Sequence, residues 1–425
     1  MVDIKVSSKG HLTGIIEIPA DKSISHRAVM LLSLAKGKSV IKNFSTALDP
    51  KSTLDIFYRL GLEYKFLDDK TLVLNSKGKL FPSKMALDCG NSGTTMRLAS
   101  GILSGQNFSS VLIGDDSLSS RPMKRIIEPL TLMGADISSS NGHAPLKITG
   151  HSLKAIEYSS QLSSAQVKSA ILLAGLHAEG KTIYKEPYQS RNHTELMLKY
   201  LGAEIESSGI ESKICKSEIL AKNIEVAGDI SSAAFFTVAA LIVPNSDIII
   251  KNVGLNPTRT GIIDVVLQMG GDIQILDKRE ISGEFVGDLR VRYTESLKAV
   301  EIKGEIIPRL IDEIPIIAVL ASQANGKTIV KNASDLRNKE SDRIFALCKE
   351  LKKIGVEIEE LADGFIVNGK KNISGGCELD SYKDHRLAMS FYVAGLISQS
   401  PIIIKNFDCV NISMPEFIRL MNNLL

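Results

Sequence analysis

The sequence has no tryptophan and few aromatic residues of any kind, 5% in all. A base-stacking platform for nucleic acid is therefore not expected. The formal net charge of +3 is also too small to favour nucleic acid or a membrane surface through bulk electrostatics. Polar residues interrupt every long apolar run, so we predict no transmembrane helix. The residues around Asp3 and Lys5 lack the apolar segment of a secretory signal.

Cysteine is scarce and scattered. No C-x-x-C pair occurs, and the five cysteines are Cys89, Cys215, Cys348, Cys377 and Cys409. An odd number at irregular spacing is typical of a reducing compartment rather than of a disulfide framework or a zinc site. We therefore expect a cytoplasmic protein that uses no metal. The 425 residues, 44% of them apolar, are enough for two domains with ordinary cores.

What the sequence does contain is one pattern that occurs six times. Each copy begins with polar or charged residues at the start of an apolar helix and continues into a β-like stretch. The six helix starts are DKSISHR (21–27), DCGNSGTTMR (88–97), SSAQVKSA (163–170), GDISSAA (228–234), RLIDEIP (309–315) and YKDHR (382–386). Most copies also contain a helix–glycine–strand marker, and the marker glycines are Gly61, Gly134, Gly202, Gly270 and Gly355. We interpret each marker glycine as the residue after a helix end, where φ is positive.

The repeated pattern predicts an α/β fold built from units of the β-α-β-α-β type. The first helix of each copy is apolar on nearly all sides, which places it in the interior. We predict two groups of three copies, each with buried helices surrounded by sheets. The last copy is truncated, and we predict that the strand-like GIIEIP (14–19) completes it. One domain would then contain residues 1–19 and 227–425, and the other residues 20–226.

The helix starts predict anion binding, because a helix N-terminus has free N–H groups and a positive dipole end. The cations near the starts are Lys22, Arg27, Arg97, Arg121, Lys339, Arg343 and Arg386. Together they could balance about two phosphates and two carboxylates. Asp312 and Glu340 lie among these cations, either for general acid–base chemistry or to hold an arginine. The fourth start, GDISSAA, contains no cation, and we interpret it as a packing or domain-crossing element.

At these residues the chain resembles the 5-enolpyruvylshikimate-3-phosphate synthase family. DKSISHR, GNSGTTMR, SSRPM, SAQVK, KESDR and DHR occur in the family's order over essentially the full length. SAQVK (164–168) and Asn256-Pro-Thr-Arg259 are similar to the class II branch. The resemblance implies a two-domain inside-out α/β barrel with three βαβαββ repeats in each domain and an active site in the cleft between them. It also implies a monomer without a cofactor.

The implied reaction transfers the enolpyruvyl group of phosphoenolpyruvate to the 5-hydroxyl of shikimate 3-phosphate and releases phosphate. By the resemblance, shikimate 3-phosphate would be bound by Lys22, Ser23, Arg27, Ser164, Ala165, Gln166, Ser190, Asp312 and Lys339. Phosphoenolpyruvate would be bound by Lys22, Gly93, Arg121, Gln166, Arg343 and Arg386. The catalytic residues would be Lys22, which contacts both substrates, Asp312 as proton acceptor, Glu340 as proton donor, and His385 beside the reacting carbons.

Some positions depart from the family pattern. The segment 409–413 stands where many members have a lysine that contacts phosphoenolpyruvate, and His193 stands where some have a tyrosine under the shikimate ring. Gly93 is the position at which tolerant members carry alanine, which predicts sensitivity to glyphosate, an inhibitor of the phosphoenolpyruvate site.

Two alternatives stay open. One is the enolpyruvyl transferase that acts on UDP-N-acetylglucosamine, whose catalytic loop carries a cysteine that residues 115–121 lack. The other is a non-catalytic anion-binding protein on the same scaffold, which predicts loss of a reacting group. Lys22, Asp312, Glu340 and His385 are all present.

Overall fold

The computed structural model describes residues 2–8, 10–369 and 372–425. The chain forms two units. The terminal unit consists of Met1–Pro19, Gly228–Arg279 and Phe285–Leu425, and the inserted unit consists of Ala20–Ala227 and Glu280–Glu284.

The boundaries differ from the sequence-based ones at two places. Residue 227 and the hairpin tip Glu280–Glu284 group with the inserted unit, whereas the sequence assigned both to the terminal domain. Hydrogen bonds explain the position of the tip. The backbone N–H of Glu225 donates to Ser282 Oγ (2.9 Å), and His193 Nδ1 lies 2.6 Å from Glu284 Oε1.

Three sheets of the inserted unit share one topology. In each sheet the first two strands are parallel and the later neighbours are antiparallel. In order across each sheet, the strands are Ile224–Glu225, Gly37–Lys42, Leu72–Ser76 and Glu63–Phe66; then Leu87–Asp88, Ser109–Ile113, His143–Thr149 and Asp136–Ser140; then Glu157–Ser159, Lys181–Lys185, Glu211–Cys215 and Ile205–Ser208.

The sheets of the terminal unit are related, since each contains a parallel pair beside antiparallel neighbours. Its strands, in order across each sheet, are Asp272–Ile281, Glu284–Arg292, Asp247–Gly254 and Thr13–Glu17; then Glu301–Ile302, Gly326–Val330, Gly364–Gly369 and Glu357–Leu361; then Ile4–Val6, Ile402–Lys405 and Glu378–Asp380. The prediction that residues 14–19 complete the sixth copy was wrong. Thr13–Glu17 pairs in parallel with Asp247–Gly254 of the fourth copy, and Ile4–Val6 completes the sixth copy by pairing antiparallel with Ile402–Lys405.

Each predicted helix start begins a buried helix, called here a central helix. The central helices are Lys22–Leu34, Gly93–Ser104 and Ala165–Gly175 in the inserted unit, and Ile230–Ile242, Ile314–Ser322 and His385–Gly395 in the terminal unit. Burial follows from composition, because every residue of Ile230–Ile242 is buried and none is charged. Small residues allow close packing: a Cβ on Gly101 would lie 2.2 Å from the carbonyl oxygen of Ala170 on the next central helix.

The remaining helices lie outside the central set. They are Leu48–Arg59, Asp116–Ser119, Lys124–Leu132 and His193–Tyr200 in the inserted unit, and Gly261–Gln268, Ile307–Leu310, Arg343–Lys353 and Phe417–Asn422 in the terminal unit. Three 3-10 helices cover Gly304–Ile306, Ser334–Asn338 and Phe407–Ile412. In the described parts of the chain, no helix is both long and apolar enough to cross a membrane.

The predicted α/β fold class is confirmed, and so is the role of the marker glycines. All five have positive φ, from 79° at Gly270 to 99° at Gly134, so each ends its helix in a conformation that favours glycine. Within the described ranges the sheets remain separate and none closes on itself. The predicted barrel is therefore a set of distinct sheets packed against central helices.

Candidate active site

Capping side chains fix the starts of five of the six central helices. The caps are Asp21 (to Ile24 N, 2.9 Å), Ser92 (to Thr95 N, 3.1 Å), Ser164 (to Val167 N, 3.5 Å), Asp229 (to Ser231 N, 2.9 Å) and Asp384 (to Arg386 N, 2.9 Å). Each cap satisfies one of the first-turn N–H groups and leaves others free. The starts are thus held in place while they keep donors for an anion.

The predicted site residues form two sets, one in each unit. The inserted unit contains Lys22, Ser23, Arg27, Gly93, Arg121, Ser164, Ala165, Gln166 and Ser190. The terminal unit contains Asp312, Lys339, Glu340, Arg343, His385 and Arg386.

Arg27 is a fixed, buried cation of the inserted unit. Its Nε donates to Thr194 Oγ1 (2.7 Å), Nη2 donates to Ser169 Oγ (2.8 Å), and Nη1 donates to the carbonyl of Ser23 (2.9 Å). The guanidinium therefore links three helices. Such a pre-ordered fork suits a carboxylate or a phosphate, because little side-chain freedom remains to be lost on binding.

Lys22 stands at the same helix start and is partly exposed. Its Nζ lies 3.0 Å from Asp49 Oδ2, and the side chain of Lys22 is 18% exposed. Ser23, next along the chain, is also partly exposed. Lys22 can therefore reach an incoming anion while Asp49 holds the ammonium near the start of the helix.

A second group of cations surrounds the start of helix Gly93–Ser104. Arg97 Nη1 donates to Gln166 Oε1 (2.6 Å), and Gln166 Nε2 donates to Thr94 Oγ1 (3.0 Å). Arg121 Nη2 donates to Asn91 Oδ1 (2.7 Å). A Cβ on Gly93 would lie 2.9 Å from Arg97 Nη1 and 3.5 Å from Arg121 Nη1. Glycine at this position therefore keeps room beside two guanidinium groups.

Ser190 is held by a buried ion triad. Lys168 Nζ lies 2.8 Å from Glu186 Oε1 and 2.9 Å from Glu195 Oε1, and all three side chains are at most 3% exposed. Lys168 also donates to the carbonyl of Ser190 (3.1 Å), and Ser190 N donates to Glu186 (2.8 Å). Among the described residues, the buried Ser190 hydroxyl has no hydrogen-bond partner. The triad thus fixes the backbone of Ser190 and leaves its Oγ available.

His193 is buried, and its ring does not form an exposed surface on which a substrate ring could stack. It begins helix His193–Tyr200, is 2% exposed, and its Nδ1 lies 2.6 Å from Glu284 Oε1. The next residue, Thr194, accepts from Arg27. His193 therefore directly precedes, along the chain, the residue that fixes Arg27.

Arg343 joins the acids of the terminal unit. Its Nε donates to Asp384 Oδ2 (2.8 Å), Nη2 to Glu340 Oε2 (2.6 Å) and Nη1 to Asp312 Oδ1 (3.3 Å). Burial by itself lowers the pKa of the Arg343 guanidinium, but the charges of Asp384, Glu340 and Asp312 more than offset it and raise that pKa. Arg343 is therefore a permanent cation that holds both predicted proton-transfer carboxylates.

The other residues of the terminal set adjoin two of these acids along the chain. His385 and Arg386 begin central helix His385–Gly395 and are buried. Arg386 Nη1 donates to the carbonyl of Ser231 (3.1 Å), and its guanidinium carbon lies 6.0 Å from the centre of the Phe235 ring. Lys339 is partly exposed, with Nζ 2.8 Å from Asp335 Oδ2. Lys339 can therefore exchange this surface partner for a substrate hydroxyl.

Sequence reasoning missed three residues that contact this machinery. Arg97 was counted as a cation but given no substrate, although it bonds to Gln166. Glu313 and Arg259 were given no role in the site, yet both contact the buried Ser231. The GNSGTTMR motif was enough to identify Arg97 from the sequence. Glu313 and Arg259 could not be identified in this way, because only the fold brings them to Ser231.

The cysteines and possible metal ligands give no sign of other chemistry in the described residues. Desolvation by burial raises the pKa of all five thiols, that of Cys348 and Cys409 to about 12. A raised pKa disfavours the nucleophilic thiolate. No group of three or more His, Cys, Asp or Glu residues that could hold a metal occurs in the described parts of the chain.

Comparison with known proteins gives consistent results. Residues 6–421 match the family model described as EPSP synthase (3-phosphoshikimate 1-carboxyvinyltransferase). The 3-phosphoshikimate 1-carboxyvinyltransferase of Petrotoga mobilis is 50% identical, with 99% of each chain covered. That of Thermodesulfovibrio yellowstonii is 51% identical, with 97% of each chain covered.

Solved structures agree in fold. An EPSP synthase from Acinetobacter baumannii has a TM-score of 0.89 at 39% identity, covering 99% of this chain and 98% of that chain. The enolpyruvyl transferase NikO from Streptomyces tendae has a TM-score of 0.80 at 17% identity, covering 99% of this chain and 96% of that chain. The NikO likeness concerns the fold alone.

Proposed function

The chain belongs to the EPSP synthase (3-phosphoshikimate 1-carboxyvinyltransferase) family, and we propose that it transfers the enolpyruvyl group of phosphoenolpyruvate to the 5-hydroxyl of shikimate 3-phosphate. The products are 5-enolpyruvylshikimate 3-phosphate and phosphate. The observation that carries this proposal is the match over residues 6–421 together with two intact sets of fixed cations and acids. The enzyme is a transferase of aromatic amino-acid biosynthesis.

The inserted unit supplies most contacts to shikimate 3-phosphate in this proposal. Ser23, Ser164, Ala165, Gln166 and Ser190 bind its phosphate and ring, while Arg27 lies near its carboxylate. Support comes from the bonds that fix Arg27 in three directions and from the available Ser190 hydroxyl. From the terminal unit, Asp312 and Lys339 bind the ring hydroxyls.

Phosphoenolpyruvate is bound by arginines from both sets. Gly93, Arg121 and Gln166 contribute from the inserted unit, and Arg343 and Arg386 from the terminal unit. A phosphate carries about −1.5 to −2 at neutral pH, so two such substrates repel each other strongly. The cations offset this repulsion, with Lys22 in contact with both molecules.

The acids of the terminal unit perform the proton transfers. Asp312 takes the proton of the 5-hydroxyl as that oxygen bonds to C2 of phosphoenolpyruvate, and Glu340 protonates C3 as C2 becomes cationic. The tetrahedral intermediate then loses a C3 proton and the phosphate, which restores the double bond. Arg343 contacts both carboxylates, which supports coupled action, and buried His385 lies beside the reacting carbons.

The proposed protein acts as a monomer in the cytoplasm on small-molecule substrates. Its two sets of site residues act on the same pair of substrates, because the reaction needs the phosphate-binding cations and the proton-transfer acids together. The class II assignment also remains a proposal, supported by SAQVK and by Asn256-Pro-Thr-Arg259.

One experiment separates this proposal from its alternatives. Release of phosphate from phosphoenolpyruvate is measured with shikimate 3-phosphate or UDP-N-acetylglucosamine as acceptor. We expect release with shikimate 3-phosphate only. Release with the UDP-sugar would favour the related transferase, against the absence of cysteine in residues 115–121. No release with either acceptor would favour a non-catalytic anion-binding protein.

A further inference from the structure

The fourth helix start gains a cation from elsewhere in the chain. GDISSAA contains none, but Arg259 Nη2 donates to Ser231 Oγ (2.6 Å) and lies 3.2 Å from Asp229 Oδ1. Arg259 follows strand Asp247–Gly254 and precedes helix Gly261–Gln268, and it is only 2% exposed. A cation from a distant part of the chain therefore completes this start, which also coincides with the boundary between Ala227 and Gly228 along the chain.

Ser231, which Arg259 contacts, also bonds to two elements of the candidate site. Its hydroxyl donates to Glu313 Oε1, and Glu313 adjoins Asp312 at the start of central helix Ile314–Ser322. Its carbonyl accepts from Arg386 Nη1 (3.1 Å). One residue thus links Arg259 to the backbone that carries Asp312 and to the side chain of Arg386.

The charges in this group are balanced and removed from solvent. Arg259 and Arg386 supply two cations, and Asp229 and Glu313 supply two carboxylates, all of them buried. Ser231 joins them through its hydroxyl, its backbone N–H and its carbonyl. A buried ionic group is commonly no more stable than an apolar replacement of the same volume. Its hydrogen bonds, however, fix the orientations of the side chains more strictly than apolar packing does. A substrate-binding guanidinium and a catalytic base both require a fixed orientation.

We propose that Arg259 is a positioning residue which, through Ser231, holds Arg386 and the Asp312–Glu313 segment in their working orientation. This role rests on the proposed function, in which Arg386 binds phosphoenolpyruvate and Asp312 accepts a proton. Arg259 touches neither substrate. It acts on phosphoenolpyruvate through Arg386 and on the chemical step through Glu313 and Asp312.

The test uses three variants of the full chain. Arg259→Met removes the cation, and Ser231→Ala removes the hydroxyl but keeps the carbonyl that accepts from Arg386. The matched control is Arg309→Met. Arg309 holds the same loop from its outer side, with Nε donating to the Pro257 carbonyl (2.8 Å) and Nη2 lying 2.7 Å from Asp264 Oδ2. In the described parts of the chain it makes no bond to Ser231.

We expect Arg259→Met to raise the KM for phosphoenolpyruvate about tenfold and to lower kcat about 10- to 100-fold. Ser231→Ala should lower kcat by about tenfold and change that KM by less than about twofold, because its carbonyl remains. Arg309→Met should match the wild type in both constants. The affinity for shikimate 3-phosphate, measured by calorimetry, should stay within about twofold in every variant.

Each result supports or overturns the proposal. A folded Arg259→Met protein with the constants of Arg309→Met overturns it. If Arg259→Met does not fold, Ser231→Ala decides, and unchanged kcat there overturns the proposal. Wild-type protein that releases no phosphate refutes the proposed function instead. In that event calorimetry with inorganic phosphate tests the positioning role, and equal affinity in wild type and Arg259→Met refutes it.

Discussion

Arg343 Nε donates to Asp384 Oδ2 over 2.8 Å, and the other oxygen of the same carboxylate accepts from the backbone N–H of Arg386 (2.9 Å). One buried acid therefore orients both arginines that we assign to phosphoenolpyruvate in the terminal unit. It also caps the helix that begins at His385. Acids near the binding cations thus serve to direct them as well as to transfer protons.

Asp384→Asn tests this double role. Asparagine still caps a helix, but Arg343 loses a charged partner at a site where both side chains are at most 2% exposed. We expect a loss of about 3 kcal/mol in the free energy of unfolding and a KM for phosphoenolpyruvate about tenfold higher. Urea unfolding and steady-state kinetics measure the two effects. The control is Asp342→Asn, which also replaces a helix cap paired with an arginine, but near the surface. Equal KM values in the two variants would contradict the prediction.

Gly93→Ala tests the space beside the guanidinium groups. The added Cβ would lie 2.9 Å from Arg97 Nη1, so the far end of Arg97 must shift. The wild type should be sensitive to glyphosate. In the variant we expect the inhibitor concentration for half-inhibition and the KM for phosphoenolpyruvate to rise about tenfold or more. The KM for shikimate 3-phosphate serves as the internal control. Uninhibited wild-type turnover at millimolar glyphosate, or unaltered inhibition of the variant, would refute the expectation.

Lys168→Met tests the buried triad. The substitution leaves Glu186 and Glu195 without their cation in the interior, and we expect the free energy of unfolding to fall by about 3–5 kcal/mol. Lys185→Met is a matched control, because Lys185 also contacts two carboxylates but is 40% exposed. The control should lose much less stability. Because Lys168 holds the Ser190 backbone, the KM for shikimate 3-phosphate should rise in Lys168→Met only. Urea unfolding curves of the two variants with equal midpoints would argue against the triad as a structural element.

His26 makes stability depend on pH. Burial, aided by the charges of Lys22 and Arg27, lowers the pKa of this imidazole well below its usual 6.5, and Nδ1 lies 2.6 Å from Thr53 Oγ1. Below pH 6.5 the His26 imidazole binds a proton in the unfolded chain but not in the folded chain, so the free energy of unfolding falls as the pH falls. One such group contributes up to about 1.4 kcal/mol per pH unit. Urea unfolding between pH 6.5 and 5 should therefore show a smaller pH slope for His26→Gln, and identical slopes would disprove this linkage.

Local signals made much of the fold predictable. A capping residue, a polar or charged turn and an apolar run lie together at Asp21, Ser92 and Ser164, so the helix starts could be found from sequence alone. The marker glycines could also be recognised from the local sequence, because few residues other than glycine readily adopt a positive φ. The fold class followed from the repetition of these signals.

Long-range pairing could not be predicted in the same way. Two strand-like segments lie near the N-terminus, and nothing local shows that Ile4–Val6, rather than residues 14–19, pairs with Ile402–Lys405. Arg259 lies 28 positions from Ser231, so no local motif reveals that it serves the fourth helix start. The substrate-contacting roles are predictions from the family pattern.

The pairing of Ile4 with Ile404 also constrains the order of events during synthesis. At about 5–20 residues per second, the first strand waits roughly 20–80 seconds for its partner to emerge from the ribosome. All of Ala20–Ala227 is complete well before then, so most of the inserted unit can fold while the terminal unit still lacks all three of its sheets. Ile4–Val6 must stay unpaired through that interval, during which it is exposed to chaperones and proteases.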